Sequence, residues 1–250
     1  MIIAQTDGVR LTDRLATATK PERTALLADF YRAHLTALER WSREDPRWRS
    51  QRKEPLWRIA RSTGDGLIFM VDDRAEAGDD PSELFELVFS AMRDLRSELA
   101  AKSIQVRSIL HHAHSDNIIY PKDLMIATSL PEDSWLGKDA MRLDDEFFGM
   151  EFIRLSRLSA ITSGPFHLLT QEFVLHLTRR DNRHDEHIAS ELEERSEKSG
   201  FYRISPQPLR VPVMKGFAER GKHYTVSFDK PYLLWEISYT GDAANANDPN

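Results

Sequence analysis

The chain has no cysteine in its 250 residues, so disulfides and thiolate chemistry are excluded. It has no apolar run near the ~20 residues that a membrane-spanning helix needs. Its first residues lack the basic, apolar and small-residue order of a secretory leader. These absences lead us to expect a cytoplasmic address and no membrane partner. Positive charge is in deficit: 34 Lys and Arg face 40 Asp and Glu, for a net charge of -6. That balance argues against broad nucleic-acid binding. No internal repeat is evident.

With 40% hydrophobic and 30% charged residues, the composition suits one substantial globular domain. We expect that domain over 1–240, with a polar insertion at 180–200 and a disordered tail at 241–250.

The most informative stretch is Trp57 to Val71. Ile59 and Leu67 to Val71 are strand-forming, and Thr63-Gly64-Asp65-Gly66 between them is turn-forming. A hairpin with Asp65 at its tip is predicted. A carboxylate there suits a divalent cation, although an Asp-Gly pair between strands is commonly only a turn.

Taken in order, the remaining chain alternates strands and helices. Ile2 to Ala4 begins a strand that runs into Asp7. Pro21 to Glu44 carries an amphipathic stripe of Leu27, Phe30, Tyr31, His34, Leu38 and Trp41, which places His34 in the core. Asp80-Pro81-Ser82-Glu83 starts a helix running to about Lys102. Ile104 to His111 is a strand, and Asn117 to Ser129 holds a short one around Leu124 to Ala127. Phe148 to Thr162 is a helix, Phe166 to Leu169 a strand and Glu172 to Arg179 a short helix. Leu209 to Met214, Tyr224 to Phe228 and Tyr232 to Ser238 are strands, the first kept near an edge by Pro208 and Pro212. The pattern predicts an α+β fold, with helices over a mostly antiparallel sheet.

Two compositional features invite function and have plainer explanations. Trp41, Trp48 and Trp57 interleave with basic residues from Arg40 to Arg58, as in single-strand binders, but Glu39, Glu44, Asp45 and Glu54 dilute the charge. His111, His112 and His114, and His184 with His187, resemble metal clusters. Strand alternation instead separates His111 from His112, and the second group sits in a very polar segment.

Four pieces together resemble the catalytic domain of the class III nucleotide cyclases: Asp7 after the first strand, the Gly64-Asp65-Gly66 hairpin, the strand Arg107 to His111, and Phe148-Gly149 leading a helix to Arg157. The likeness covers about Ile2 to Thr170. It implies a ferredoxin-like core and cyclisation of a nucleoside triphosphate. In the family, Asp7 and Asp65 would match the pair that binds two divalent cations, Mn2+ or Mg2+. The backbone at Gly8, Val9, Arg10 and Leu11 would lie near the triphosphate. Arg157 would meet charge on the α-phosphate. The family's asparagine four residues before that arginine is Ile153 here.

The base-recognition positions also depart from the adenylate and guanylate pairs, being Arg61 and Glu146. In this respect and in length the chain is similar to small stand-alone bacterial pyrimidine cyclases of antiphage signalling. That likeness implies UTP as substrate and 3′,5′-cyclic UMP as product. It also implies a homodimer with shared active sites, and a separate cyclic-nucleotide effector that the cyclase does not contact. Trp57, if strand alternation puts it beside Arg61, would narrow the base pocket; otherwise it is core. Lys215 and Lys222 are candidates for the triphosphate lysine. An adenylate cyclase and a non-catalytic cyclase-homology module remain alternatives.

Overall fold

The structure is a computed structural model, and it describes residues 1–44, 57–71, 81–114, 117–118, 149–161, 164–182, 186–211 and 232–240. The predicted strands around Leu124 and Tyr224, the residues Trp48, Glu146, Lys215 and Lys222, and the tail 241–250 lie outside these.

Strand β1, Ile2–Gly8, is buried at every position and lies at the centre of the sheet. It pairs antiparallel with β3, Gly66–Val71, on one side and with β4, Val106–His112, on the other. Strand β2, Trp57–Ser62, forms a hairpin with β3 and an edge of the sheet. The hairpin turn closes through Thr63 N–H to the Gly66 carbonyl at 3.0 Å, and Gly64 takes a φ of +90° there. Glycine reaches that conformation without the Cβ clash other residues meet.

Beyond β4 lie β5, His167–Thr170, in parallel, then β8, Tyr232–Tyr239, antiparallel. The outer side of β8 pairs with β6, Tyr202–Ile204, and with β7, Leu209–Val211. The order β2-β3-β1-β4-β5-β8-β6, with β7 on β8, is the expected mostly antiparallel sheet.

Two apolar layers cover it. On one face, Ile2, Ala4, Leu67, Phe69 and Leu110 meet helices α2, Lys20–Glu44, and α3, Pro81–Ala100. Phe30, Ala33, Ala37 and Leu38 of α2, and Val88, Phe89, Met92 and Leu95 of α3, recur at helical spacing and are buried. Thr19 begins α2: its amide and hydroxyl both donate to Glu22 Oε2 at 2.7 Å, satisfying the end of the helix. On the other face, Ile3, Ile68, Met70, Ile109 and Leu168 pack under Phe152, Leu155 and Leu158 of α4, Met150–Ile161.

Besides strand β6, which the sequence reading does not name, three features differ from it. A short helix α1, Leu11–Thr17, follows β1 directly. The polar segment at 180–200, read as a solvated helix or a mobile insertion, is a helix α6, His187–Ser199, but one that buries Ile188 and Leu192 in the main core; it stops at Gly200 in the left-handed conformation. It follows α5, Gln171–Leu177. The third difference concerns Trp57. A bulge between Ile59 and Arg61 breaks the alternation in β2, so Ile59 opposes Phe69 while Arg61 opposes Ile68. One extra residue flips the faces that follow it. Trp57 therefore packs in the core, 5.5 Å from the Phe69 ring, and Arg61 stands on the opposite face. The expected shared face of Trp57 and Arg61 is overturned. Among the described residues, no helix is long and apolar enough to cross a membrane.

Candidate active site

Two acids distant in sequence are carried by adjacent backbone at one end of the sheet. Asp7 lies opposite Gly66 in the β1–β3 ladder, next to Asp65. The Gly8 amide donates to the Asp65 carbonyl at 2.8 Å, so the end of β1 is tied to the hairpin tip. Val9 N–H donates to the Gln105 carbonyl at 2.8 Å, which fixes the other side. Arg10 then takes a left-handed φ of 56° and turns the chain into α1. Gly8 permits that turn, because a Cβ there would lie 2.6 Å from Leu11 Cβ. The four residues Gly8 to Leu11 thus border the acids as one tight backbone segment.

Asp7 is buried, with 6% of its surface exposed. Among the described residues, its partners converge on Oδ2: Gln5 Nε2 donates at 3.1 Å, the Ser159 hydroxyl of α4 donates, and Arg107 Nε of β4 forms an ion pair at 3.5 Å. Its Oδ1 lies over Gly66, 2.1 Å from where a Cβ would stand. Gly66 is therefore required for the approach of Asp7. Asp65 is held likewise through Oδ2, by the Thr12 hydroxyl of α1.

Each carboxylate thus has one oxygen anchored by protein. Beside Asp7, Gln5 Oε1 is a buried acceptor with no partner among the described residues. Carboxylate oxygens are the hard donors that Mg2+ and Mn2+ prefer, and each acid keeps a second oxygen for such an ion. The residues present fit a divalent cation.

On the opposite side of β1, the Thr6 hydroxyl meets His34 Nε2 at 2.7 Å. His34 Nδ1 is 2.8 Å from the Phe30 carbonyl, so Nδ1 carries the proton and Nε2 accepts from Thr6. Burial pushes His34 down to about 4, which keeps it neutral. His34 is the core histidine expected, and it pins the end of β1 to α2.

Helix α4 is anchored by a polar network. His111 is fully buried, with Nε2 2.8 Å from Glu151 and Nδ1 2.9 Å from Thr170 Oγ1. Both ring nitrogens are therefore engaged in the core. The hydrogen bond from His111 holds the Glu151 carboxyl below the usual range against the effect of burial. Arg154 bridges Glu151 at 3.2 Å and Glu172 of α5 at 3.1 Å. The helix starts after Gly149, whose φ of 141° and whose approach to the Asn117 carbonyl, 2.1 Å from a Cβ, exclude other residues. His112 faces away and stacks on His176 at 3.6 Å, as alternation predicted.

Arg157 is exposed on α4. Ser159, two residues on, turns inward to Asp7, and two helical steps of about 100° put the two side chains on opposite sides. Within one chain Arg157 does not join the carboxylates. Ile153 shares its outer side and is 46% exposed. Arg61 shares the α4 face with Gln5 and Asp7, since both it and Gln5 oppose Ile68.

Sequence reasoning missed Gln5, Thr12, Arg107 and Ser159 as partners of the acids. Gln5 alone had a signal, as a polar residue on the Asp7 face of an otherwise apolar strand.

Scanned against models of known families the chain matches none, and no curated protein matches it. Solved structures do resemble it. The guanylate cyclase domain of RhGC from Catenaria anguillulae in complex with GTP aligns with a TM-score of 0.52 at 11% identity, over 95% of each chain. The guanylyl cyclase Cya2 aligns with a TM-score of 0.51 at 11% identity, over 98% of this chain and 94% of that one. A rhodopsin-guanylyl cyclase core with converted specificity, in complex with ATPalphaS, aligns at 0.50 with 10% identity, over 95% and 94%. The chain has the α+β fold of class III nucleotide cyclase catalytic domains.

Proposed function

We propose that this protein is a nucleotide cyclase that prefers UTP and releases 3′,5′-cyclic UMP and pyrophosphate. One observation carries the reading: Asp7 and Asp65 are held by adjacent backbone at the end of the sheet, where the Gly8 amide bonds the Asp65 carbonyl, and each has one carboxylate oxygen anchored by the fold. The ribose 3′-oxygen attacks the α-phosphorus, its proton leaves, and pyrophosphate departs. Asp7 and Asp65 would hold two divalent cations, Mn2+ or Mg2+, which when bound lower the hydroxyl's pKa and neutralise the leaving group. The Gly8 to Leu11 backbone borders the triphosphate.

Arg157 meets the α-phosphate charge in the transition state, for which a forked guanidinium is suited. Its outward position on α4 supports a site completed by a second copy, with the acids from one subunit and the arginine from the other. Arg61 grips the base edge with Glu146, and its place on the Asp7 face supports that role. Lys215 is the proposed triphosphate lysine. The proposed setting is cytoplasmic antiphage signalling through a separate effector.

A second reading is favoured by Ile153, which stands where the family carries an asparagine that orients the ribose: a nucleotide-binding module without turnover. Incubation with each of the four triphosphates and Mn2+, with products identified by mass, decides between them. Cyclic UMP from wild type and none from Asp65→Asn is expected. Faster turnover of ATP than of UTP and CTP makes the protein an adenylate cyclase, and no product from any triphosphate leaves the module.

A further inference from the structure

We propose that Gln5 is a positioning residue of the cation site, kept in the core at the expense of stability. The inference rests on the reading of Asp7 as a cation ligand. Gln5 is 3% exposed and sits mid-strand in β1. Its cross-strand neighbours are Ile68 and Ile109, both buried in the layer beneath Leu155 and Leu158 of α4. Both cross-strand neighbours suit an aliphatic side chain. A buried amide there is costly unless both its ends are bonded.

Only one end is. Nε2 donates to Asp7 Oδ2 at 3.1 Å, while Oε1 is buried without a partner among the described residues. The amide orientation is not in question, because an ionised Oδ2 can only accept. The fold thus carries an unmet acceptor in return for one bond to one carboxylate.

That bond has a geometric consequence. Together with Ser159 it holds Oδ2 inward and leaves Oδ1 over Gly66, toward the hairpin that bears Asp65. Gln5 sets which oxygen of Asp7 faces the second acid. Partners that orient a metal-binding group in this way typically change metal affinity 10–100-fold when removed. A residue with a purely structural role behaves differently, since its loss lowers stability.

The test compares wild type with Gln5→Leu and Gln5→Met, the second keeping the side chain's length. Mn2+ affinity is read from the paramagnetic resonance signal of free Mn2+, and thermal stability from the unfolding midpoint without metal. The expected result is Mn2+ binding weaker by about 10-fold or more, with a midpoint unchanged or raised by about 2–4 °C. Wild-type affinity in both variants overturns the proposal, as does a midpoint that falls along with the affinity. Asp7→Asn separates the two levels. If it abolishes Mn2+ binding while Gln5→Leu leaves it intact, only the role of Gln5 fails. If wild type itself binds no Mn2+, the cation reading fails and the proposal with it.

Discussion

Replacing Gly66 by alanine tests the contact between the hairpin and the buried acid. A Cβ at this position would lie 2.1 Å from Asp7 Oδ1, 2.4 Å from Thr63 Oγ1 and 2.8 Å from the Thr6 carbonyl oxygen. Thr63 is exposed and can rotate away. The Thr6 carbonyl is backbone in the central strand and cannot. Asp7 is held by Gln5, Ser159 and Arg107, so moving it breaks bonds on three elements. Over-packing of this kind costs about 1–3 kcal/mol, and the backbone contact argues for the upper part of that range. In a chain of this size the cost corresponds to a drop in unfolding midpoint of about 5–10 °C. Relief of the 2.1 Å contact needs a shift of about 1 Å in the carboxylate, which by itself can reduce turnover about 100-fold.

Gly64→Ala is the matched control. Nothing lies within 4 Å of its Cβ position, but its φ of +90° strains any other residue. It should lose about 1–2 kcal/mol and keep turnover. Urea unfolding and Mn2+-dependent cyclisation, measured on both variants, read the two effects separately. A Gly66→Ala protein with wild-type midpoint and wild-type turnover would refute the argument.

Asp65→Ala and Arg157→Ala proteins, each inactive alone, should regain partial activity when mixed; no recovery in a mixture shown to exchange subunits means each chain builds its own site. Burial pushes His34 down to about 4 and His167 down to about 3 from an ordinary 6.5, with Arg96 adding to the effect at His167. The unfolded chain binds these protons first, so the stability they carry is whole above about pH 6.5 and is lost as pH falls toward the folded values, by roughly 1 kcal/mol per unit for each. Urea midpoints should therefore fall between about pH 7 and about pH 5, less so in a His34→Gln protein that folds; equal slopes would remove His34 from the account. Trp57→Ala should cost about 3–5 kcal/mol by emptying core beside Phe69, with the ratio of UTP to ATP use unchanged. A changed ratio at an unchanged midpoint would return Trp57 to the base pocket.

The sequence by itself determined most of the described elements and their order, though not α1 or β6, because hydrophobic period and turn chemistry are local. Ile2 to Asp7, the Thr63 to Gly66 turn, the α2 stripe with His34 inward and the α4 start at Gly149 all follow from neighbours a few residues away. Asp7 and Asp65 are legible as a pair only through the resemblance to the cyclase family, since a strand-end acid and an Asp-Gly turn are each uninformative alone. Tertiary structure alone decided what lies across the sheet from what. The bulge at Ala60 sends Trp57 and Arg61 to opposite faces, although strict alternation puts them together. Ile188 and Leu192 are too few to mark α6 as core until the main cluster closes over them. The contacts of Gln5, Ser159, Arg107 and Thr12 with the acids join segments far apart in the chain. No local pattern encodes such contacts, since each depends on the register of β1 with its neighbours and on the rotation of α4, both set by packing of the whole core.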